Sequence, residues 1–115
     1  SADTIIGKGT KIDNLCHIGH DTVVGQMCLF AAFVVIAGVS TIEDNVTLWG
    51  RVTVGSDVTI GKGAVLLATS AIAKSIEGGK TYFGSPAEEA RVKWRELAAI
   101  RQLPDLIVEL NKKKD

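Results

Sequence analysis

From Ile6 to Ile72 every sixth residue is apolar: Ile6, Ile12, Ile18, Val24, Phe30, Ile36, Ile42, Leu48, Val54, Ile60, Leu66 and Ile72. With 46% of the chain apolar, such a run of twelve in one fixed phase arises by chance about once in ten thousand sequences. Two residues before each of these positions the side chain is small or β-branched, in the series Thr4, Thr10, Cys16, Thr22, Cys28, Val34, Ser40, Val46, Val52, Val58, Ala64 and Ser70. One residue after them glycine recurs, at Gly7, Gly19, Gly25, Gly55 and Gly61. A chain that turns a corner every six residues reads this way. The aliphatic fills the interior, the small residue fits a tighter inward site, and glycine is expected to relieve the bend. Hexapeptide periodicity specifies a parallel β-helix in which three hexads make one triangular coil of 18 residues. Residues 6 to 77 supply 72 positions, or four coils.

The period stops before the C-terminus. The segment KSIEGGKTYFG, with residues 78–84 at its end, reads as an irregular exit strand, and residues 85–115 read as helical. Ser85, Pro86 and Glu88 have the spacing of a helix N-cap, first helical residue and capping-box partner. A first helix is expected to run to about Leu103, with Pro104 opening a second that ends in the basic tail NKKKD. At the other end the repeat begins almost at Ser1, with no capping element before it, so the chain is expected to be the C-terminal piece of a longer protein. The expected class is all-β, with a helical extension.

Composition narrows the function. Thirteen Lys and Arg balance thirteen Asp and Glu, which argues against nucleic acid or an anionic membrane as the main partner. No apolar run reaches the length of a transmembrane segment and residues 1–15 lack a secretory-signal pattern, so a cytoplasmic setting is expected. Cys16 and Cys28 both fall in the small inward column; packing explains them as free thiols, with no metal required.

The chain has two histidines, three apart in CHIGHDTVVG. His17 projects from the flat of a strand, whereas His20 falls at a corner, so the two do not converge. A bound metal needs three or so convergent protein ligands, and no third histidine exists to supply one. Because stacked coils place residue i beside i+18, the edge below His20 carries Gly38 and then Ser56. A histidine there can take a proton from a nucleophile while a main-chain N–H one coil away holds an oxyanion. A merely solvated histidine satisfies the same spacing. Asp21 and Asp57 share a column on either side of Val39, as solvated groups or as substrate contacts. Leu15, Phe33, Met27 and Trp49 mark a subunit interface or a ligand pocket, and a threefold assembly suits a triangular prism. The basic residues of the helical segment could meet an acidic carrier or simply complement the helix dipole.

The segments DTIIGKGTKIDNLCHIGHDTVVG, IAGVSTIEDNV and FGSPAEEARVKWRELAAIRQLPDL, which together span most of the chain from Asp3, resemble the UDP-3-O-acylglucosamine N-acyltransferases of lipid A biosynthesis. HIGHD is shared with the O-acyltransferase that acts earlier; the exit segment and helical end point to the N-acyltransferase. The resemblance implies a left-handed coil. It also implies transfer of a 3-hydroxyacyl chain from the phosphopantetheine thioester of acyl carrier protein to the 2-amine of a UDP-linked glucosamine, with no resident cofactor and a homotrimeric assembly. On the matching positions, His20 would be the general base and Gly38 the oxyanion donor. Asp13 and Asn14 of KIDN, together with His17, Asp21 and Asp57, would contact substrate, and Arg95 and Arg101 would meet the carrier protein. Many members carry a second histidine where this chain has Asp57, an acceptor in place of a possible donor. The family's N-terminal uridine-recognition domain has no counterpart in these residues. Competing readings are another hexapeptide O-acyl- or acetyltransferase using acyl carrier protein or acetyl-CoA, and a trimeric scaffold without catalysis.

Overall fold

A computed structural model describes residues 3–114. The twelve ruler positions close twelve two-residue strands: β1 (Ile5–Ile6), β2 (Lys11–Ile12), β3 (His17–Ile18), β4 (Val23–Val24), β5 (Leu29–Phe30), β6 (Val35–Ile36), β7 (Thr41–Ile42), β8 (Thr47–Leu48), β9 (Thr53–Val54), β10 (Thr59–Ile60), β11 (Val65–Leu66) and β12 (Ala71–Ile72). β1 to β9 each pair in parallel with the strand three further on, in an 18-residue register such as Ile5↔Val23 and His17↔Val35. Three faces result, ordered β1-β4-β7-β10, β2-β5-β8-β11 and β3-β6-β9-β12. This is the parallel solenoid that the period requires, of about four turns.

The ruler residues form the core. From Val24 to Ile72 they are 0–3% exposed, and the small column inside them, Thr22 to Ser70, is buried as well. Polar members of that column are not stranded. Thr10 Oγ1 donates to Gly25 O at 2.8 Å, Ser40 Oγ to Gly55 O at 2.8 Å, and Cys28 Sγ to Glu43 O at 3.1 Å, each 15 residues on. A short side chain with one donor thus satisfies a carbonyl at the next coil's corner, which offsets the cost of burying it. Both cysteines are free, as their column demands: Cys16 is partly buried and its Sγ donates to Ala31 O at 3.1 Å. In the first coil Ile6 and Ile12 remain 47% and 37% exposed.

The bends differ from the expected device. Corner residues three after the ruler carry left-handed backbone, from Leu15, Asp21 and Met27 through Val39 (φ 62°) to Thr69, and most of them are not glycine. The recurrent glycines one after the ruler do not make the turn. A Cβ at Gly7 would lie 2.5 Å from Gly25 O, and one at Gly19 would lie 2.5 Å from Gly38 N. They are needed because successive coils approach there through bare backbone.

The C-terminal end also departs from expectation. Residues 85–89 are not a helix start. The Ser85–Pro86 peptide is cis and forms the turn between β13 (Thr81–Gly84) and β14 (Ala87–Glu89), which pair antiparallel with Phe83 opposite Glu88. The hairpin extends the second face and closes the solenoid, aided by the Ile60↔Ile76 bridge and by Tyr82 Oη donating to Glu77 O at 2.8 Å. A single helix, α1 (Ala90–Lys112), replaces the two expected, and Pro104 lies inside it. Proline costs one hydrogen bond there. All of α1 beyond Ala90 is solvent-facing in one chain or nearly so, so water can satisfy the carbonyl left free.

Candidate active site

The corner after β3 holds two consecutive residues of opposite chemistry. His20 is exposed, while the left-handed backbone of Asp21 (φ 57°) folds its carboxylate back beside the ring. Asp21 Oδ2 lies 2.9 Å from His20 Nδ1, with the Asp21 side chain 18% exposed and that of His20 77% exposed. Asp21 Oδ1 is buried without a hydrogen-bond partner among the described residues. A carboxylate held at Nδ1 fixes the tautomer with the proton there and leaves Nε2 as an acceptor. Asp21 is turned toward the histidine, a contact that its column alone did not reveal.

Nε2 lies over Gly38. The coils stack through Val39 N donating to His20 O at 2.8 Å and Asp57 N donating to Gly38 O at 3.2 Å. A Cβ built on Gly38 would fall 2.5 Å from His20 Nε2 and 2.8 Å from two ring carbons. No alanine fits without moving the imidazole. The Gly38 N–H has no acceptor among the described residues. At another corner the matching amides of Gln26 and Lys62 are occupied, by Asp44 Oδ1 at 2.8 Å and Glu43 Oε1 at 2.9 Å. Gly19 adds a requirement that the sequence signalled only as a recurrent glycine: any side chain there would cover the Gly38 nitrogen. One edge thus presents an oriented proton acceptor and a free main-chain donor, one coil apart. Chemically, that pair can deprotonate a nucleophile and stabilise the anion formed when it adds to a carbonyl.

The other candidates are spread over the prism. His17 sits exposed on the flat of β3, paired with Val35 and apart from the His20–Asp21 pair. Asp57 is exposed two coils below Asp21 and touches this site only through its N–H to Gly38 O. Asp13 and Asn14 occupy a neighbouring corner, where Asp13 Oδ1 accepts from Asn14 N at 2.6 Å and Asn14 O accepts from Phe33 N at 3.1 Å. There Asp13 borders a groove of about 400 Å³ with Lys11, Leu29, Ala31 and Trp49. Within one chain that groove and His20 do not meet. Arg95 and Arg101 are exposed on α1, beyond the last coil. Among the described residues no three His, Cys, Asp or Glu side chains are grouped to hold a metal ion. Nor is any helix among the described residues long and apolar enough to cross a membrane.

Comparison with known proteins agrees with the fold. Residues 3–38 match the family model for the bacterial transferase hexapeptide (six repeats). A UDP-3-O-acylglucosamine N-acyltransferase of Methylobacterium sp. (strain 4-46) is 43% identical over 103 residues, 90% of this chain and 29% of that protein. A second, from Rhodopseudomonas palustris (strain BisB18), is 45% identical over 101 residues, 88% of this chain and 27% of its own. The chain therefore spans less than a third of the curated relatives it matches, in their C-terminal part. Among solved structures, an Arabidopsis UDP-N-acetylglucosamine acyltransferase superposes with a TM-score of 0.71 at 30% identity, over 73% of this chain and 29% of that one.

Proposed function

The chain belongs to the bacterial hexapeptide-repeat transferases, and on that premise we propose that it forms the catalytic solenoid of an N-acyltransferase of lipid A biosynthesis. The reaction moves a 3-hydroxyacyl chain from the phosphopantetheine thioester of acyl carrier protein to the 2-amine of a UDP-3-O-acylglucosamine. The observation that carries the reading is the His20 ring, held by Asp21 at Nδ1 and lying with Nε2 over Gly38.

The amine nitrogen attacks the thioester carbonyl, and Nε2 takes the proton that the nitrogen sheds as the N–C bond forms. The resulting imidazolium is stabilised by the Asp21 carboxylate at 2.9 Å. The carbonyl oxygen, now an anion, is received by the Gly38 N–H. Collapse of the tetrahedral intermediate breaks the C–S bond, and the imidazolium returns its proton to the departing thiolate. Each of these steps uses a group already positioned, so little reorganisation accompanies the chemistry.

His20 is open to water in one chain, whereas a general base works best where water is excluded. The exposed apolar groups Leu15, Phe33 and Trp49 on the prism, and Trp94, Ile100 and Leu106 on α1, support a homotrimer in which an adjoining chain covers the edge. Asp13 and Asn14 would then line the cleft from the neighbouring subunit, while Arg95 and Arg101 meet the acidic carrier in the cytoplasm.

A 3-hydroxyacyl-carrier donor and the UDP-sugar amine, offered to the natural full-length protein with acetyl-CoA in competition, test the assignment. Amide product from the carrier donor, with acetyl-CoA unused, is expected. Turnover of acetyl-CoA in preference would transfer the assignment to a hexapeptide acetyltransferase, and a hydroxyl ester product would make it an O-acyltransferase.

A further inference from the structure

Two of the three solenoid edges carry complementary chemistry at matching heights. The second edge, made by the corners after β2, β5 and β8, projects Leu15, Phe33 and Arg51 from left-handed backbone (φ 60°, 64° and 62°). The third, made by the corners after β3, β6 and β9, projects Asp21, Val39 and Asp57 in the same way (φ 57°, 62° and 55°). Both edges stack through the same bond, Arg51 N donating to Ala32 O at 3.0 Å on one and Asp57 N to Gly38 O at 3.2 Å on the other. We infer that the second edge docks against the third edge of another copy of this chain, with Arg51 paired to the partner subunit's Asp57. The inference rests on the acyl-transfer reading, whose homotrimer it deepens by naming the surfaces that meet.

Height, charge and shape support the pairing separately. Adjacent coils are about 4.8 Å apart, so the one hexad between Arg51 and Asp57 is a rise of about 1.6 Å along the prism. Prisms standing side by side in a threefold ring therefore bring the two to nearly one level, well within the reach of an arginine. Within one chain they occupy different corners, and neither forms an ion pair with a described residue. Both are exposed. The guanidinium is laid over the Phe33 ring, with Cζ 5.4 Å from the centroid, which holds the charge in one place. One coil up, Phe33 and the partner subunit's Val39, 48% and 50% exposed in one chain, meet as apolar partners. In the first coil Leu15, 74% exposed, reaches the level of the partner subunit's His20 and excludes water from its ring. The remaining edge does not fit in place of the second. At the level of Asp57 it carries Glu43 and Asp44, of like charge, and their carboxylates already accept from Lys62 N and Gln26 N. The contact joins two different patches, so it is heterologous, and a ring of three copies closes it.

Cross-linking the natural full-length protein tests the contact. With Arg51→Cys and Asp57→Cys in one chain, a short bis-maleimide is expected to give linked dimers and a closed trimer on a denaturing gel. Either substitution alone should give no more linkage than the parent, because a heterologous contact needs both positions. Arg51→Asp sets like charges against each other at every contact, so the concentration at which half the trimer dissociates should rise at least about tenfold in sedimentation. Adding Asp57→Arg to that variant should bring the trimer back. If the parent is trimeric and transfers the acyl chain, yet the paired cysteines link only within a chain or not at all and Arg51→Asp leaves the trimer unchanged, the contact is overturned and acyl transfer at His20 stands. A parent that sediments as a monomer overturns the contact together with the homotrimer it rests on.

Discussion

At the scale of single residues, the proposed chemistry would depend on two glycines whose missing side chains leave room for other groups. Gly38 leaves space for the imidazole, since a methyl there would be 2.5 Å from Nε2. Gly38→Ala should therefore displace the ring and lower kcat of the full-length protein at least a hundredfold while thermal stability changes little, because the site is a partly exposed corner. Gly19→Ala acts differently: its methyl would cover the Gly38 nitrogen. Loss of one oxyanion donor costs about a hundredfold to a thousandfold in kcat; Gly19→Ala should show such a loss together with a lowered Tm, since its methyl meets backbone at 2.5–2.8 Å, and a loss in Gly38→Ala with unchanged folding would support the site. Wild-type turnover in either would show that the edge is not where acyl transfer occurs. Asp21 was adjacent to His20 in sequence, but its orienting contact was not legible. The contact depends on a left-handed backbone at residue 21, and no glycine there announces one.

At the scale of the hexad, the solenoid was readable because one constraint repeats. An inward aliphatic every sixth residue leaves few foldings open to the chain, and the observed register Val24↔Ile42 and Phe30↔Leu48 follows from it. The small column was read as packing alone, and the structure adds a hydrogen bond to the carbonyl 15 residues on. Cys28→Ser should then be tolerated, since serine already donates from this column at Ser40, and Tm should shift by only a few degrees. Ser40→Leu should destabilise by about 1–3 kcal/mol or more through overpacking, measured by denaturant unfolding. The helix start was misplaced for a physical reason. Ser-Pro-Ala-Glu fits a capping box locally, but a cis peptide and pairing with Thr81–Gly84 make the same residues a hairpin. That pairing is long-range, and local spacing carries no sign of it.

For the molecule as a whole, the described chain is 67 Å long and about 25 Å across, with the His20 edge in its first coils and α1 beyond its last. The lower end is held by the hairpin and by a small polar clamp. Lys80 Nζ lies 2.6 Å from Glu77 Oε1; this hydrogen bond first, and the charge of Lys80 with it, lowers the pKa of Glu77. A carboxyl with a lowered folded pKa contributes its stability above the unfolded value and loses it as pH falls through the folded one. Melting curves should accordingly show the clamp's contribution fading at acid pH, and Glu77→Gln should remove that acid dependence. Tyr82 behaves oppositely: burial raises its pKa, so the stability it contributes is complete below the ordinary tyrosine value and is lost as pH rises through the raised one. Tyr82→Phe should cost about 1 kcal/mol near neutrality, the worth of its bond to Glu77 O, and should flatten the alkaline loss. The stack of coils that this end secures is what brings residues 20 and 38 together. The most direct measurement of its purpose is turnover of the 3-hydroxyacyl-carrier donor by the full-length protein carrying His20→Ala, beside the parent and at matched trimer content. A fall of about a hundredfold to ten thousandfold is predicted for loss of a general base; turnover equal to the parent's would contradict the account.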